Sequence, residues 1–161
     1  MPSVSKETLK KASSKVSSKK SAEKKAIKIK YEDKSIGQPQ LVPIFEEIKK
    51  LLKPYERGTM KLIGGDGGKI MLISKKPVEI AGRKKDELWF ASVLVQKGYV
   101  GFYYMPVYAD NQMRKMIGPE LLKCLKGKAC FHLKKFDEQI FSQVKDALKI
   151  GYDRWHKFNW I

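Results

Sequence analysis

The chain has 161 residues, enough for one domain and an additional segment. Its 34 Lys and Arg outnumber 17 Asp and Glu, and the excess is not confined to one stretch: residues 1–39 carry 11 Lys against 4 acidic residues, and residues 40–161 carry 23 basic against 13 acidic. Two cysteines are too few for the disulfide framework of a small secreted domain, the N-terminus lacks the apolar run of a signal peptide, and no segment reaches the roughly 18 apolar residues of a membrane span, so a reducing, cytoplasmic setting is expected.

Residues 1–30 are Lys, Ser and Ala with isolated aliphatics. They offer no apolar stripe to offset the entropy of ordering, so residues 1–39 are expected to be a disordered tail and linker, and residues 40–161 the folded domain. The domain opens with an amphipathic helix. Leu41, Ile44, Phe45, Ile48, Leu51, Leu52 and Tyr55 repeat at the spacing of one helical face. Pro43 suits the first turn, Pro54 closes the helix, and Glu46 precedes Lys50 by the favourable i, i+4 interval.

From Thr59 the period shortens to that of strands. Met60–Ile63 and Lys69–Ser74 flank a glycine-rich reversal, Gly64-Gly65-Asp66-Gly67-Gly68. A phosphate loop does not fit there: Ile63 stands where that motif needs its first glycine, and Ile70 follows Lys69 in place of Ser or Thr. Val78–Ala81 reads as a short edge strand. Leu88–Val95 is apolar on both alternating sets, which predicts a central strand covered on both faces. Gln96-Lys97-Gly98 turns the chain, and Tyr99–Met105 returns as the next strand, ended by Pro106.

Residues 107–125 read as one broken helix or two short ones, with the break at Gly118-Pro119. A short strand follows at Lys128–Leu133. The last helix has the strongest signals: Asp137 as N-cap, Phe136 and Phe141 as a hydrophobic staple, and Ile140, Val144, Leu148, Tyr152 and Trp155 as a stripe. Together these predict an α+β fold, with a mainly antiparallel sheet of about five to six strands and an N-terminal helix and C-terminal helices packed on it.

Two stretches resemble a known group. Lys97-Gly98-Tyr99-Val100-Gly101-Phe102-Tyr103-Tyr104-Met105-Pro106, followed by Leu125-Lys126-Gly127-Lys128-Ala129-Cys130-Phe131, is similar to the pattern of the YdhG-like domains, a large bacterial family mostly of unknown function. The resemblance spans roughly Gln40–Ile161 and implies an α+β fold. One member of that family has been described as a frataxin-like iron chaperone, so the resemblance also implies iron handling as an alternative role. Iron of that kind wants clustered carboxylates, and the adjacent acidic pairs Glu46-Glu47, Asp86-Glu87 and Asp137-Glu138 fall in three different elements.

Chemistry-bearing residues concentrate in the second half. Lys128, Cys130 and His132 alternate along one expected strand and would share a face. With Cys124 and His156 they invite a zinc reading, but the paired Cys-x-x-Cys spacing of structural sites is missing. Cys130 beside His132 is the one nucleophile–base pair to nominate, with Lys126 and Lys128 placed to favour thiolate; no third, orienting residue is evident, so no catalytic residue is assigned. Tyr99, Tyr103, Trp89 and Tyr108 stand among Lys97, Lys126 and Lys128, a composition suited to an anionic or planar ligand. The sequence therefore points to a non-catalytic domain that binds a small anionic ligand or an acidic partner through Tyr103, Lys126, Lys128 and His132. Neither a metal nor another cofactor is expected. Weak, non-specific nucleic-acid association through the basic tail is a further alternative.

Overall fold

Apolar residues at helical spacing after Gln40 form the expected first helix, α1 (Val42–Leu52), which buries Ile44, Phe45, Ile48 and Leu52. Pro43 sits in its first turn, and Lys53-Pro54-Tyr55 continues as a single 3-10 turn before the chain leaves. Lys49, not Lys50, pairs with Glu46, at 3.8 Å. The computed structural model describes residues 32–161, so the Lys/Ser-rich residues 1–31 of the expected tail lie outside the described residues. The compact unit begins at Asp33. The end of the expected linker is anchored: the Gln38 side chain donates to the Gln96 carbonyl at 3.1 Å and accepts from the Gly98 N–H at 2.7 Å.

Eight strands follow the period-2 segments: β1 (Met60–Gly64), β2 (Lys69–Ser74), β3 (Val78–Ile80), β4 (Arg83–Lys85), β5 (Leu88–Gln96), β6 (Tyr99–Tyr104), β7 (Leu125–Lys126) and β8 (Cys130–Leu133). Six of them form one antiparallel sheet in the order β1-β2-β5-β6-β8-β7. The expected edge strand near Val78 does not join it. Ala81 and Gly82, both at positive φ (51° and 74°), make a two-residue reversal that pairs β3 with β4 as a separate hairpin.

Between β6 and β7 the chain forms three short helices, α2 (Met105–Ala109), α3 (Met113–Met116) and α4 (Pro119–Leu122), where one or two were expected. The last helix, α5 (Glu138–Lys157), follows the sequence closely. Asp137 Oδ1 accepts from the N–H groups of Gln139 and Ile140 at 2.9 and 3.2 Å, and the Phe136 and Phe141 rings meet at 4.7 Å. Gln143 on the same helix accepts from the Leu121 N–H at 2.8 Å and so ties α4 to α5.

The core lies between one face of the sheet and the helices α1 and α5. Facing rows such as Leu72, Ala91 and Tyr104, then Ile70, Val93, Phe102 and Phe131, are all buried and in register. Burying an aromatic or large aliphatic side chain contributes about 1.5–3 kcal/mol, which makes this layer the main source of stability. The expectation that β5 is covered on both faces is corrected. A bulge shifts the β2–β5 register so that Leu72 faces Ala91 and Ile73 faces Trp89, leaving Phe90 as the extra residue. Phe90 and Ala91 are consequently both buried, while Trp89 turns out and is 57% exposed. The apolar second set is a partly open face, not a second core.

Candidate functional site: an aromatic cleft beside the bulge

The outward turn of Trp89 places it on one wall of a cleft of about 530 Å³. That volume lies within the range of small-molecule sites. Leu88 belongs to the same wall. Met105, Tyr108 and Ala109 of α2 form the opposite side, Ile80 and Lys85 come from the β3–β4 hairpin, and Trp155 and Trp160 from the end of the chain.

Local sequence explains each wall. The β6 strand runs straight into α2 because Pro106, in the first turn of that helix, needs no intrahelical hydrogen bond. Asp110, just past α2, takes a hydrogen bond from Arg154 Nε on α5, and this ion pair holds the two helices together with Asp110 only 10% exposed. Burial raises the Asp110 carboxyl, but the Arg154 guanidinium and the Gln112 N–H outweigh it and hold the group below the ordinary carboxylate value. Beyond α5, Asn159 adopts a left-handed conformation (φ 61°). Its N–H bonds to the His156 carbonyl at 3.0 Å, and the Trp160 N–H reaches back to the Trp155 carbonyl at 2.9 Å. This is the paired reverse bonding of a Schellman helix end, with Asn in place of Gly. It folds Trp160 back onto Trp155, ring to ring at 5.5 Å, and Lys76 fixes the Asn159 side chain at 2.6 Å.

The polar groups of the cleft are unequal. Glu87 is paired: Lys75 binds it at 2.8 Å, and that hydrogen bond and charge hold its carboxyl below the ordinary value. Among the described residues Lys85 has no carboxylate partner. The Trp155 Nε1–H is buried and has no hydrogen-bond partner among the described residues, a condition that costs about 1–3 kcal/mol for a buried donor. Trp155 itself is clamped edge-on by Phe90 at 5.2 Å. Lys85 and the Trp155 N–H are donors only, whereas the Tyr108 hydroxyl in the same lining can donate or accept.

The residues nominated from sequence fall elsewhere. Tyr103, Lys126 and His132 lie on the partly open face of the sheet, where Lys126 pairs with Cys130, Cys130 with Tyr103, and His132 with Gly101. Lys128 does not join them. It sits in the β7–β8 turn, not in a strand, and its Nζ lies 5.8 Å from the centroid of the Tyr108 ring, in a depression shared with Asn111 and Arg114. His132 stacks on Tyr99 at 3.8 Å, and burial, then Lys126 and Lys134, hold its imidazole below the ordinary histidine value. Burial, then the neighbouring Cys130 thiol, pushes the Tyr103 phenol up to about 12.

Thiol chemistry gains nothing from this arrangement. Burial pushes both Cys124 and Cys130 up, opposite to the direction that thiolate formation needs. No group of three His, Cys, Asp or Glu side chains that could hold a metal assembles among the described residues, and His156 lies on α5 beside Tyr152, away from β8. No helix of the described residues is long and apolar enough to cross a membrane. Sequence reasoning picked out Trp89 and Tyr108 but missed Trp155, Trp160, Met105 and Lys85 as their neighbours. The one local signal was Asn159, a residue tolerant of positive φ at a helix end.

No protein-family model, no curated protein and no solved structure matches this chain.

Proposed function

We propose that this domain is a non-catalytic binding module for a small, planar, largely apolar anion held in the cleft between Trp89, Tyr108, Trp155 and Trp160. The observation that carries the reading is the charge balance of an aromatic cleft: Lys85 has no carboxylate partner among the described residues, whereas Glu87 is already paired with Lys75. An aromatic or alicyclic carboxylate offers Lys85 an acceptor while its body replaces water against the rings. The stretch that resembles the YdhG-like domains builds β6, the entry to α2 and the β7–β8 hairpin, and it supplies Met105 to the wall. A cytoplasmic setting is part of the proposal and suits the two unpaired thiols, Cys124 and Cys130.

The test is titration of the full chain with 2-naphthoate, indole-3-carboxylate and their neutral amides, followed by tryptophan fluorescence and by the indole N–H signals in ¹H–¹⁵N spectra. The acids should quench saturably, bind more tightly than the amides, and shift the indole signals of Trp89 and Trp160. Lys85→Gln should remove the preference for the acid. Equal binding of acids and amides, or no saturable binding of any of them at millimolar concentration, defeats the reading.

A further inference from the structure

The outward face of the sheet meets the cleft along the row Lys61, Ile73, Trp89, and beyond that row it carries its own pattern. One cross-strand row reads Ile63, Met71, Ser92, Tyr103, Cys130, Lys126. The next reads Lys69, Leu94, Gly101, His132. The strand positions on this face include no Asp or Glu, whereas Lys61, Lys69 and Lys126 lie on it and Lys134 stands close to His132. Ile63 is 46% exposed, so the face is partly open to solvent. Six strands at about 4.8 Å spacing give it a width of about 24 Å.

Its aromatic side chains are arranged as surfaces. Gly101 is the reason: a Cβ there would lie 2.9 Å from Tyr103 Cε2 and 3.5 Å from its hydroxyl, so the Tyr103 ring leans back along its own strand over the glycine. Tyr99 and His132 make a second, paired surface, with their rings within 14° of parallel. The imidazole is biased toward its neutral form, so His132 contributes a ring and not a fixed charge.

We infer that this face binds single-stranded nucleic acid, with bases stacking on Tyr103 and on the Tyr99–His132 pair while Lys61, Lys69 and Lys126 follow the phosphates. Charge selects the occupant. A second copy of the chain would set one lysine face against another, and the chain's own N-terminal segment carries the same sign. The shape selects the strand. Unpaired bases can lie on exposed rings whatever their sequence, whereas bases stacked inside a duplex cannot.

Fluorescence anisotropy on the full chain decides it, with three labelled probes: a twelve-nucleotide oligo-dT, an abasic strand of the same length, and a twelve-base-pair duplex. Because stacking is worth about 1–3 kcal/mol per base, oligo-dT should bind about tenfold or more tightly than the abasic strand, and Tyr103→Ala should abolish most of that difference while leaving abasic binding unchanged. Lys126→Gln, at an exposed edge position, should weaken both single strands and lower the salt slope by about one. In the wild-type protein, oligo-dT should shift backbone amides of β5, β6 and β8, a readout that needs no variant to fold. Equal affinity for oligo-dT and the abasic strand overturns the inference, because the lysine-rich N-terminus then accounts for all binding. So does duplex binding as tight as oligo-dT, or a concentration-dependent dimer that Tyr103→Ala abolishes.

Discussion

Gly151 on α5 is the position where a single methyl group should matter most. A Cβ built there would lie 1.8 Å from the Tyr104 hydroxyl oxygen, 2.8 Å from its Cζ and 3.0 Å from Pro106 Cγ. Tyr104 has no room to retreat. It is fully buried, stacked on Phe102 at 5.3 Å and edge-on to Phe90 at 5.5 Å, and its hydroxyl donates to the Ala147 carbonyl one turn earlier on the same helix. Gly151→Ala therefore overpacks the core, at about 1–3 kcal/mol, and displaces a buried hydroxyl from its acceptor, at about 1 kcal/mol. Against this stands about 1 kcal/mol gained because alanine is the better helix former. The net loss is about 1–3 kcal/mol, which for a domain of this size lowers the melting temperature by roughly 4–12 °C.

Urea unfolding followed by tryptophan fluorescence measures it, and a double-mutant cycle isolates the cause. Tyr104→Phe alone should cost about 1 kcal/mol for the lost hydrogen bond. Combined with Gly151→Ala it removes the 1.8 Å contact and leaves the 2.8 Å one, which a shift of a few tenths of an ångström relieves. The double variant should thus be more stable than the sum of the singles by at least about 1 kcal/mol. If Gly151→Ala matches or exceeds the wild type, or if the two changes are additive, the close packing of Tyr104 over Gly151 is not what holds β6 to α5.

Other outcomes follow from the cleft and the sheet face. Asn159→Ala should cost about 1–2 kcal/mol because a Cβ-bearing residue without a polar side chain must hold φ at 61°, whereas Asn159→Gly should be close to neutral; chemical denaturation checks both, and only the alanine variant should also weaken naphthoate quenching. Arg154→Met should cost about 1–3 kcal/mol at neutral pH by stripping Asp110 of its charged partner. The Asp110 carboxyl is held below its unfolded value of about 4, so the stability it contributes is present above that pH and is lost as pH falls through the folded pKa; the gap between wild type and Arg154→Met should therefore narrow in melts toward pH 3. For His132 the sign is reversed: the folded state disfavours the imidazolium, so stability is full above the unfolded pKa of about 6.5 and falls as pH drops from there through the folded value. His132→Gln should flatten that decline in melting temperature, and a wild-type profile with no decline below pH 6.5 refutes the assignment.

What the sequence disclosed was whatever a regular period can encode. The α1 stripe, the glycine hairpin, the β5–β6 pair and the capped, stapled start of α5 each repeat at 3.6 or 2 residues or carry a turn residue with a definite torsional reason. The failures share one cause, an interruption of period. Strict alternation assigns Phe90 and Ala91 to opposite faces, yet the bulge buries both, and reading through it turned the outward half of β5 into a second core face. The same error of assumed regularity extended β8 back to Lys128, which a tight turn had already taken out of the strand. Tyr103 and His132 share the outward face because alternation holds there, and Lys126 joins them through the short strand β7, which the period-2 reading did not predict. The cleft was invisible because Trp89, Met105 and Trp160 approach one another only through the tertiary fold.

The interruptions themselves gather at one end of the molecule. The bulge turns Trp89 out of the sheet, the Ala81-Gly82 reversal sends Lys85 back along β3, the strand-to-helix junction at Met105 sets α2 across the end of β5, and the left-handed Asn159 returns Trp160 to Trp155. Each delivers a side chain to the same 530 Å³ space. The same segments also serve the core: the bulge buries Phe90, Trp155 and Leu88 belong to the core cluster, and Ile80, Met105 and Trp160 pack against it. Four separate segments that converge on one cleft and leave Trp89 exposed on its wall support the proposed binding role. That argument makes a quantitative demand. A ligand that fills the cleft should raise the melting temperature of the wild type and should do so less for Asn159→Ala, in which Trp160 is no longer held in place. If the two proteins are stabilised equally, the convergence of these segments has nothing to do with binding.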